Sequence, residues 1–205
     1  MKRGRLLFQA ALFDLDGTLL DTIDDLADSM NQVLVSYGLK PYPVHRYFYF
    51  VGDGMQTLTH RVLSEQAADL SLLEPCAAAM RQNYSNNWSK KTKPYPGIVE
   101  MLRELTRHKV KIAVLSNKPH EFTQIMVRHY FKDFYFEAIE GQKTGVPKKP
   151  DPSAAIQIAK SINLMPEAFA YLGDTNTDMK TARSAGMFAV GALWGFRKAD
   201  ELIES

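Results

Sequence analysis

The sequence predicts an α/β fold in which a doubly wound, mainly parallel sheet carries an all-helical insertion. Short apolar segments alternate with amphipathic ones from residue 97 onward, a pattern typical of a parallel sheet with helices on both faces. An apolar strand stands apart near the start, and only helical patterns follow it up to residue 90. We therefore assign residues 1–20 and 91–205 to the α/β core and residues 21–90 to the insertion.

The first predicted strand covers residues 6–13, "LLFQAALF", and runs directly into Asp14. Apolar residues at spacings of three and four from Ile23 to Tyr37 then indicate an amphipathic helix that ends near Gly38. We expect further helices at residues 44–50, 54–63 and 71–88.

A turn rich in proline and glycine at residues 94–97 marks the return to the core. Beyond it, helices and strands are predicted in alternation. The predicted helices are 98–108, 120–130, 152–162 and 177–186. The predicted strands are 111–116, 134–139, 168–173 and 187–194.

The net charge, the cysteine count and the length of the apolar runs bear on the partners and the compartment of the protein. The formal net charge of +2 gives no reason to expect a nucleic-acid partner. A single cysteine, Cys76, excludes an intrachain disulfide and suits a reducing compartment, so we expect a cytoplasmic protein in which Cys76 is a small buried apolar residue. No apolar run is long enough for a membrane helix, so no membrane partner is expected. A monomer and a homodimer both remain open.

Polar residues follow the strands of the predicted sheet where each strand ends. Ligands of doubly wound sheets bind at the carboxyl ends of the strands, so these residues should converge at one rim. The candidate site residues are Asp14, Asp16, Thr18, Ser116, Asn117, Lys149, Asp174 and Asp178. Each short motif taken alone is explained as readily by turn or helix-capping chemistry. Their joint occurrence at successive strand ends favours a site.

The residue types indicate a cation and a phosphate group. Three carboxylates at one point cannot all stay ionised without a cation, and a set of oxygen ligands without His or Cys suits Mg²⁺. Ser116 offers a hydroxyl, and the backbone N–H groups of residues 116–118 lead into a predicted helix N-terminus. Lys149 adds a positive charge. These donors beside a metal suit a phosphate group.

The motifs "DLDGT", "SN", "KPDP" and "GDTNTD", in this order, resemble the four motifs of the haloacid dehalogenase superfamily of phosphohydrolases. Together with "YPG", "SNKP" and "WGFR", they are similar to the phosphoglycolate phosphatase family within it. The resemblance covers the whole chain and implies a Rossmann-like core with the insertion as a cap domain. It implies a Mg²⁺-dependent phosphatase acting on a small phosphorylated metabolite, with 2-phosphoglycolate the first substrate to test.

The resemblance also implies roles for the acids. Asp14 is the implied nucleophile that forms an aspartyl-phosphate, and Asp16 is the implied general acid and then base. The implied Mg²⁺ ligands are the carboxylates of Asp14 and Asp174 and the backbone carbonyl of Asp16.

The remaining polar residues receive phosphate-binding and supporting roles from the same resemblance. Ser116, Asn117 and Lys149 are implied to bind the phosphoryl group. Because "KPDP" begins at residue 149, the resemblance favours Lys149 over the adjacent Lys148 as the phosphate-binding lysine. Thr18 is expected to fix Asp16 or the turn, and Asp178 to orient a metal-bound water or a hydrogen-bond donor.

The loop "VGDG" in the insertion contains Gly52, Asp53 and Gly54 and resembles a substrate loop of the cap, although a plain turn explains it equally well. Alternative reactions on the same core are those of a pyrophosphatase, a nucleotidase or a sugar-phosphate phosphatase. A non-enzymatic alternative is a receiver domain that accepts a phosphoryl group. The 70-residue insertion and the two acids at positions 14 and 16 argue against a receiver.

Overall fold

The computed structural model describes residues 7–205, and in this range five parallel strands form the main sheet. In chain order, the strands are β1 (Ala10–Phe13), β2 (Leu20–Asp21), β3 (Lys93–Pro94), β4 (Lys111–Pro119), β5 (Ala138–Gln142), β6 (Phe169–Gly173) and β7 (Phe188–Gly191). The spatial order of the main sheet is β5-β4-β1-β6-β7, and β2 pairs separately with β3 in antiparallel fashion. β1 therefore lies at the centre of the sheet.

Helices cover the sheet and form the insertion. They are α1 (Ile23–Ser36), α2 (Val44–Phe50), α3 (Met55–Glu65), α4 (Leu73–Asn87), α5 (Ile98–Arg107), α6 (His120–Tyr130), α7 (Ser153–Ser161), α8 (Asn176–Ser184) and α9 (Ala199–Ile203). Short 3₁₀ segments occur at Leu70–Leu72 and Pro166–Ala168. Helices α1–α4 lie between β2 and β3, which confirms the predicted α/β fold with a helical insertion.

The two faces of β1 explain why this strand is apolar throughout. Successive side chains of a strand point to opposite faces. Ala11 and Phe13 join one buried cluster, whereas Ala10 and Leu12 join the other. The first cluster also contains side chains of the insertion, among them Leu26 and Met30. The core and the insertion are therefore packed on one continuous apolar surface.

All five predicted strands have different limits in the structure; β4 extends to Pro119 and β6 begins at Phe169. The strand predicted at 134–139 was wrong in position, because β5 begins at Ala138. The aromatic residues directly before it lie in irregular structure, where Phe136 packs against Phe131 and Tyr135 is 78% exposed. β1 begins at Ala10, and residue 6 of the longer prediction lies outside the described residues. The predicted strand 187–194 ends at Gly191.

The chain enters and leaves the insertion side by side. β2 pairs with β3 through Leu20 with Pro94 and Asp21 with Lys93. The buried carboxylate of Asp25 in α1 accepts hydrogen bonds from the N–H groups of Lys91 (3.0 Å) and Thr92 (2.8 Å). The limits 21 and 90 of the insertion stay a prediction. Within residues 7–205, no helix combines the length and apolarity needed to cross a membrane.

Candidate active site

The carboxyl ends of neighbouring strands bring three acids together. Asp14 follows β1 and Asp174 follows β6, and these two strands are hydrogen-bonded neighbours. Asp178 lies in the first turn of α8, directly beyond Asp174. Carboxylate oxygens of Asp14, Asp174 and Asp178 all lie within 4.8 Å of one another, and all three residues are buried. The predicted convergence of these acids is therefore present in the structure.

Asp174 is fixed by two donors from distant parts of the chain. Thr18 Oγ1 donates to Asp174 Oδ1 at 3.1 Å, and the N–H of Phe196 donates to Oδ2 at 2.8 Å. The Thr18 hydroxyl therefore contacts Asp174 and not Asp16, while the Thr18 N–H donates to the Leu15 carbonyl within the turn at 3.3 Å. Gly17 adopts φ +84°, and a Cβ there would collide with the Asp174 carboxylate. This tight left-handed turn brings Thr18 against Asp174 instead.

Lys149 lies between two of the acids. Its Nζ is 2.8 Å from Asp14 Oδ1 and donates to Asp178 Oδ1 at 2.7 Å and to the carbonyl of Leu115 at 3.1 Å. Burial alone would lower the pKa of Lys149, but the two carboxylates raise it well above its usual value. Lys148 is exposed and donates to the carbonyl of Asp53 instead. Of the two lysines, Lys149 is the one that faces the acids.

Asp178 connects the start of α8 to Lys149. Its Oδ2 accepts hydrogen bonds from the N–H (3.1 Å) and hydroxyl (2.7 Å) of Thr175, the N-cap residue, which forms a capping box. Its Oδ1 accepts from Lys149 and from the hydroxyl of Tyr171 at 3.3 Å. Both oxygens are engaged, so the donor that Asp178 orients is the Lys149 ammonium.

The buried acids carry more negative charge than the nearby ammonium compensates. Burial, reinforced by Asp178, raises the pKa of Asp14 to about 6 although Lys149 opposes this shift. Burial and the charges of Asp14 and Asp178 raise the pKa of Asp174 well above its usual range. Asp14 Oδ1 has no hydrogen-bond partner within residues 7–205, because the close Lys149 Nζ does not satisfy hydrogen-bond angles. An all-oxygen cluster with this charge deficit fits Mg²⁺.

Asp16 is held by a lysine that the sequence analysis missed. Lys118 Nζ lies 3.0 Å from both carboxylate oxygens of Asp16 and 4.4 Å from the ring centroid of Tyr84 in α4. Lys118 is only 5% exposed. A charged residue directly after Ser116 and Asn117, at the end of a buried strand, was the available signal, since a buried charge requires a partner.

Ser116 and Asn117 have different surroundings. Ser116 lines the same pocket as Asp14 and Asp16, as its predicted role requires. The Asn117 side chain instead accepts from the N–H of Lys149 (2.9 Å) and donates to the Lys149 carbonyl (3.1 Å). It also donates to the carbonyl of Gly52 at 3.2 Å. The Asn117 side chain therefore fixes the Lys149 backbone, and its predicted phosphate contact is left to its backbone N–H.

The loop "VGDG" reaches the pocket through its glycines. Gly52 and Gly54 line the pocket, and a Cβ on Gly54 would lie 3.1 Å from the Asn117 carbonyl. The Asp53 side chain forms an ion pair with Arg61 and accepts a hydrogen bond from the hydroxyl of Thr177 at 3.3 Å. Asp53 is therefore a contact between the insertion and the core.

The pocket has a polar floor and an apolar roof. The floor, from the core, consists of Asp14, Asp16, Ser116, Lys118 and Pro119. The roof, from α1, α3 and the loop between α2 and α3, contributes Leu26, Val51, Met55 and Leu58. Only about 30 Å³ of the pocket is open to water. The insertion therefore covers Asp14 and Asp16 closely.

The chain is similar to known proteins in sequence and fold. A family model described as haloacid dehalogenase-like hydrolase matches residues 11–192, and the chain therefore belongs to this family. A phosphoglycolate phosphatase from Pseudomonas putida KT2440 is 31% identical over 189 residues, which cover 90% of this chain and 69% of that protein. One from Aquifex aeolicus is 32% identical over 192 residues, which cover 94% and 88%.

A solved structure is similar over nearly the whole chain. The crystal structure of a candidate phosphoglycolate phosphatase from Lactobacillus delbrueckii subsp. bulgaricus superimposes with a TM-score of 0.90 at 29% identity. The match covers 97% of this chain and 92% of that chain. The sheet order and the helical insertion are therefore those of an established fold.

Proposed function

We propose that this chain is a Mg²⁺-dependent phosphatase that hydrolyses a small phosphomonoester through an aspartyl-phosphate on Asp14. The observation that carries the proposal is the buried Asp14 carboxylate, 2.8 Å from the Lys149 ammonium and in one pocket with Asp16 and Ser116. A nucleophile, a second acid and phosphate donors thus face one small space.

Asp14 and Asp16 have separate roles in the proposed reaction. Asp14 attacks phosphorus, so a bond forms between its carboxylate oxygen and phosphorus while the bond to the ester oxygen breaks. Protonated Asp16 gives its proton to the departing oxygen, which leaves as an alcohol. Asp16 then accepts a proton from water as the water oxygen attacks phosphorus. This second attack releases inorganic phosphate and restores the Asp14 carboxylate.

The surrounding residues orient the phosphoryl group. The Lys149 ammonium and the Ser116 hydroxyl are the proposed donors to its oxygens, and Asp178 holds Lys149 in place at 2.7 Å. The residues that would hold Mg²⁺ are Asp14 and Asp174 through their carboxylates and Asp16 through its backbone carbonyl. When bound, the metal neutralises charge on the acids and on the transferred phosphoryl group.

The proposed substrate is 2-phosphoglycolate. Relatives named phosphoglycolate phosphatase are 31% and 32% identical to this chain, which supports this choice. The narrow pocket also supports a small leaving group.

Assays of the purified chain with Mg²⁺ test the proposal. We expect hydrolysis of p-nitrophenyl phosphate and faster hydrolysis of 2-phosphoglycolate. Pyrophosphate, nucleoside monophosphates and sugar phosphates belong in the same panel, and a preference for one of these would replace the proposed substrate. Absence of hydrolysis across the panel contradicts the phosphatase itself. A phosphorylated Asp14 that persists for minutes without turnover would indicate a receiver.

A further inference from the structure

Lys118 is the charged pocket residue to which the proposed reaction assigns no task. Among the pocket-lining residues in the described part of the chain, it is the one cation. The other buried lysine near the acids, Lys149, is already committed to Asp14 and Asp178. Lys118 lies beside Asp16, the proposed proton donor to the leaving group, whereas Lys149 lies beside Asp14, the proposed nucleophile.

The position of this ammonium is set by both parts of the protein. Lys118 lies in β4 of the core, whereas the aromatic ring next to its Nζ belongs to Tyr84 of α4 in the insertion. Burying an ammonium is costly unless it is paired, and a cation over an aromatic face is stabilised. The pairing of Lys118 with Asp16 and Tyr84 therefore holds a buried positive charge at the pocket wall.

The ammonium has capacity for a further acceptor. A lysine offers three N–H donors and no acceptor. Among residues 7–205, Asp16 is the hydrogen-bond partner of Lys118 Nζ, through its two carboxylate oxygens at 3.0 Å. At least one donor therefore remains for a ligand group in the pocket.

The apolar roof indicates what kind of ligand group would accept a hydrogen bond from Lys118. The roof residues Leu26, Val51, Met55 and Leu58 offer no side-chain hydrogen bonds. The hydroxyls of a hydroxyl-rich leaving group would find no hydrogen-bond partner on this roof, which disfavours the binding of such a group. A short leaving group with a single anionic end would place its carbon atoms against the roof and its charge beside Lys118.

We propose that Lys118 is the specificity residue that binds a carboxylate on the leaving group, so that the pocket selects phosphate esters of small hydroxy acids. This inference rests on the phosphatase activity proposed above. It assigns the two buried lysines separate ligands: Lys149 faces the phosphoryl group, and Lys118 faces the other end of the substrate.

Two substrates that differ only in charge test the assignment. 2-Phosphoglycolate carries the carboxylate, and its amide, 2-(phosphonooxy)acetamide, is a neutral isostere. We expect wild-type kcat/KM to favour the acid over the amide. In Lys118→Gln, the ratio of the two kcat/KM values should fall by about tenfold to a hundredfold, mainly through KM for the acid. Lys118→Arg should keep most of the preference.

The ratio separates recognition from a purely structural role. If Lys118 only holds Asp16, its loss lowers the rates on both substrates equally and leaves the ratio unchanged, which overturns the inference. Lys143→Gln removes an exposed lysine outside the pocket and is the matched control, with an unchanged ratio expected. Lys118→Met replaces the Gln variant if thermal unfolding shows that Lys118→Gln is not folded.

A measurement on the unmodified chain completes the test. Glycolate should inhibit hydrolysis of p-nitrophenyl phosphate at lower concentrations than glycolamide does, and equal inhibition overturns the inference. Absence of any phosphatase activity overturns both the inference and the proposed function. Activity on 2-phosphoglycolate with no preference over the amide overturns the role of Lys118 alone.

Discussion

The floor and the roof of the pocket are built in opposite ways. The acids buried beside the floor, next to Asp14, are fixed by named donors: Asp174 by Thr18 and Phe196, and Asp178 by Thr175, Tyr171 and Lys149. The roof is formed by apolar side chains of the insertion, which pack without directional bonds. The comparison teaches that, in the proposed reaction, the rim of the sheet supplies the polar groups, whereas the insertion supplies an apolar cover that limits the size of the leaving group.

The largest expected effect tests the floor at its centre. Asp14→Asn removes the proposed nucleophile, so kcat on p-nitrophenyl phosphate should fall by about a thousandfold or more. Steady-state kinetics with Mg²⁺ measure it. Asp133→Asn, which changes an exposed acid after α6, is the matched control and should have wild-type kcat. Turnover near the wild-type rate in Asp14→Asn would refute the covalent mechanism.

Removing the Lys149 ammonium, which lies beside the floor next to Asp14, should lower stability. Lys149→Met leaves the buried carboxylates of Asp14 and Asp178 without their shared cation, so the free energy of unfolding without Mg²⁺ should drop by about 3–5 kcal/mol. Urea unfolding measures this change. The neighbouring Lys148→Met alters an exposed lysine and should cost at most about 1 kcal/mol. Equal losses in the two variants would contradict the buried position of Lys149 as the source of the effect.

The charge of the floor should also make Mg²⁺ stabilisation depend on pH. The pKa of Asp14 is raised from 3.8 to about 6, so the folded chain binds this proton more tightly than the unfolded chain does. The resulting contribution to stability is complete below 3.8 and is lost as the pH rises through about 6. The raised pKa of Asp174 acts in the same direction.

Because Mg²⁺ requires ionised carboxylates, it should restore stability at pH values above the pKa of Asp14. We expect Mg²⁺ to raise Tm by about 5 °C near pH 7.5 and by much less near pH 5. Thermal unfolding with Mg²⁺ and with a chelator measures this difference. A gain in Tm that does not change with pH would show that Mg²⁺ binds elsewhere, and Asp14→Asn should have a reduced gain.

The smallest expected effect concerns the edge of the roof. The Asp53 side chain contacts Arg61 and Thr177, and the glycines on either side of it line the pocket. Asp53→Asn should therefore leave the preference between 2-phosphoglycolate and its amide unchanged within about twofold, and should lower the free energy of unfolding by about 1 kcal/mol or less. Competition kinetics measure the preference. A reversed preference would place Asp53 in the pocket.

The convergence of the acids could be predicted because it follows from local pattern. Parallel strands end at one rim, so residues such as Asp14, Asp174 and Ser116 could be placed together from their positions after strands. Lys118 and Thr18 could not be assigned in the same way. Their partners lie 102 and 156 residues away in the chain, and no periodicity encodes such a contact.

The displaced strand has a different cause. Aromatic residues favour strands and also fill turns above a core, and the sequence at 134–136 does not distinguish these two uses. The structure places Phe136 against Phe131 and starts β5 two residues later. The order of the main-sheet strands and of helices α1–α8 was nevertheless predicted, since the alternating pattern does not depend on the limits of one strand, whereas β2, β3 and α9 were not predicted.

The carboxylate of Asp178 couples the stability of the first turn of α8 to the position of the Lys149 ammonium. One side of this carboxylate closes the first turn of α8, and the other fixes the Lys149 ammonium. Fraying of that single helical turn would therefore also free Lys149 from one of its two carboxylate partners. Amide hydrogen exchange at the start of α8 becomes a reporter of how often the site is assembled, readable without any substrate.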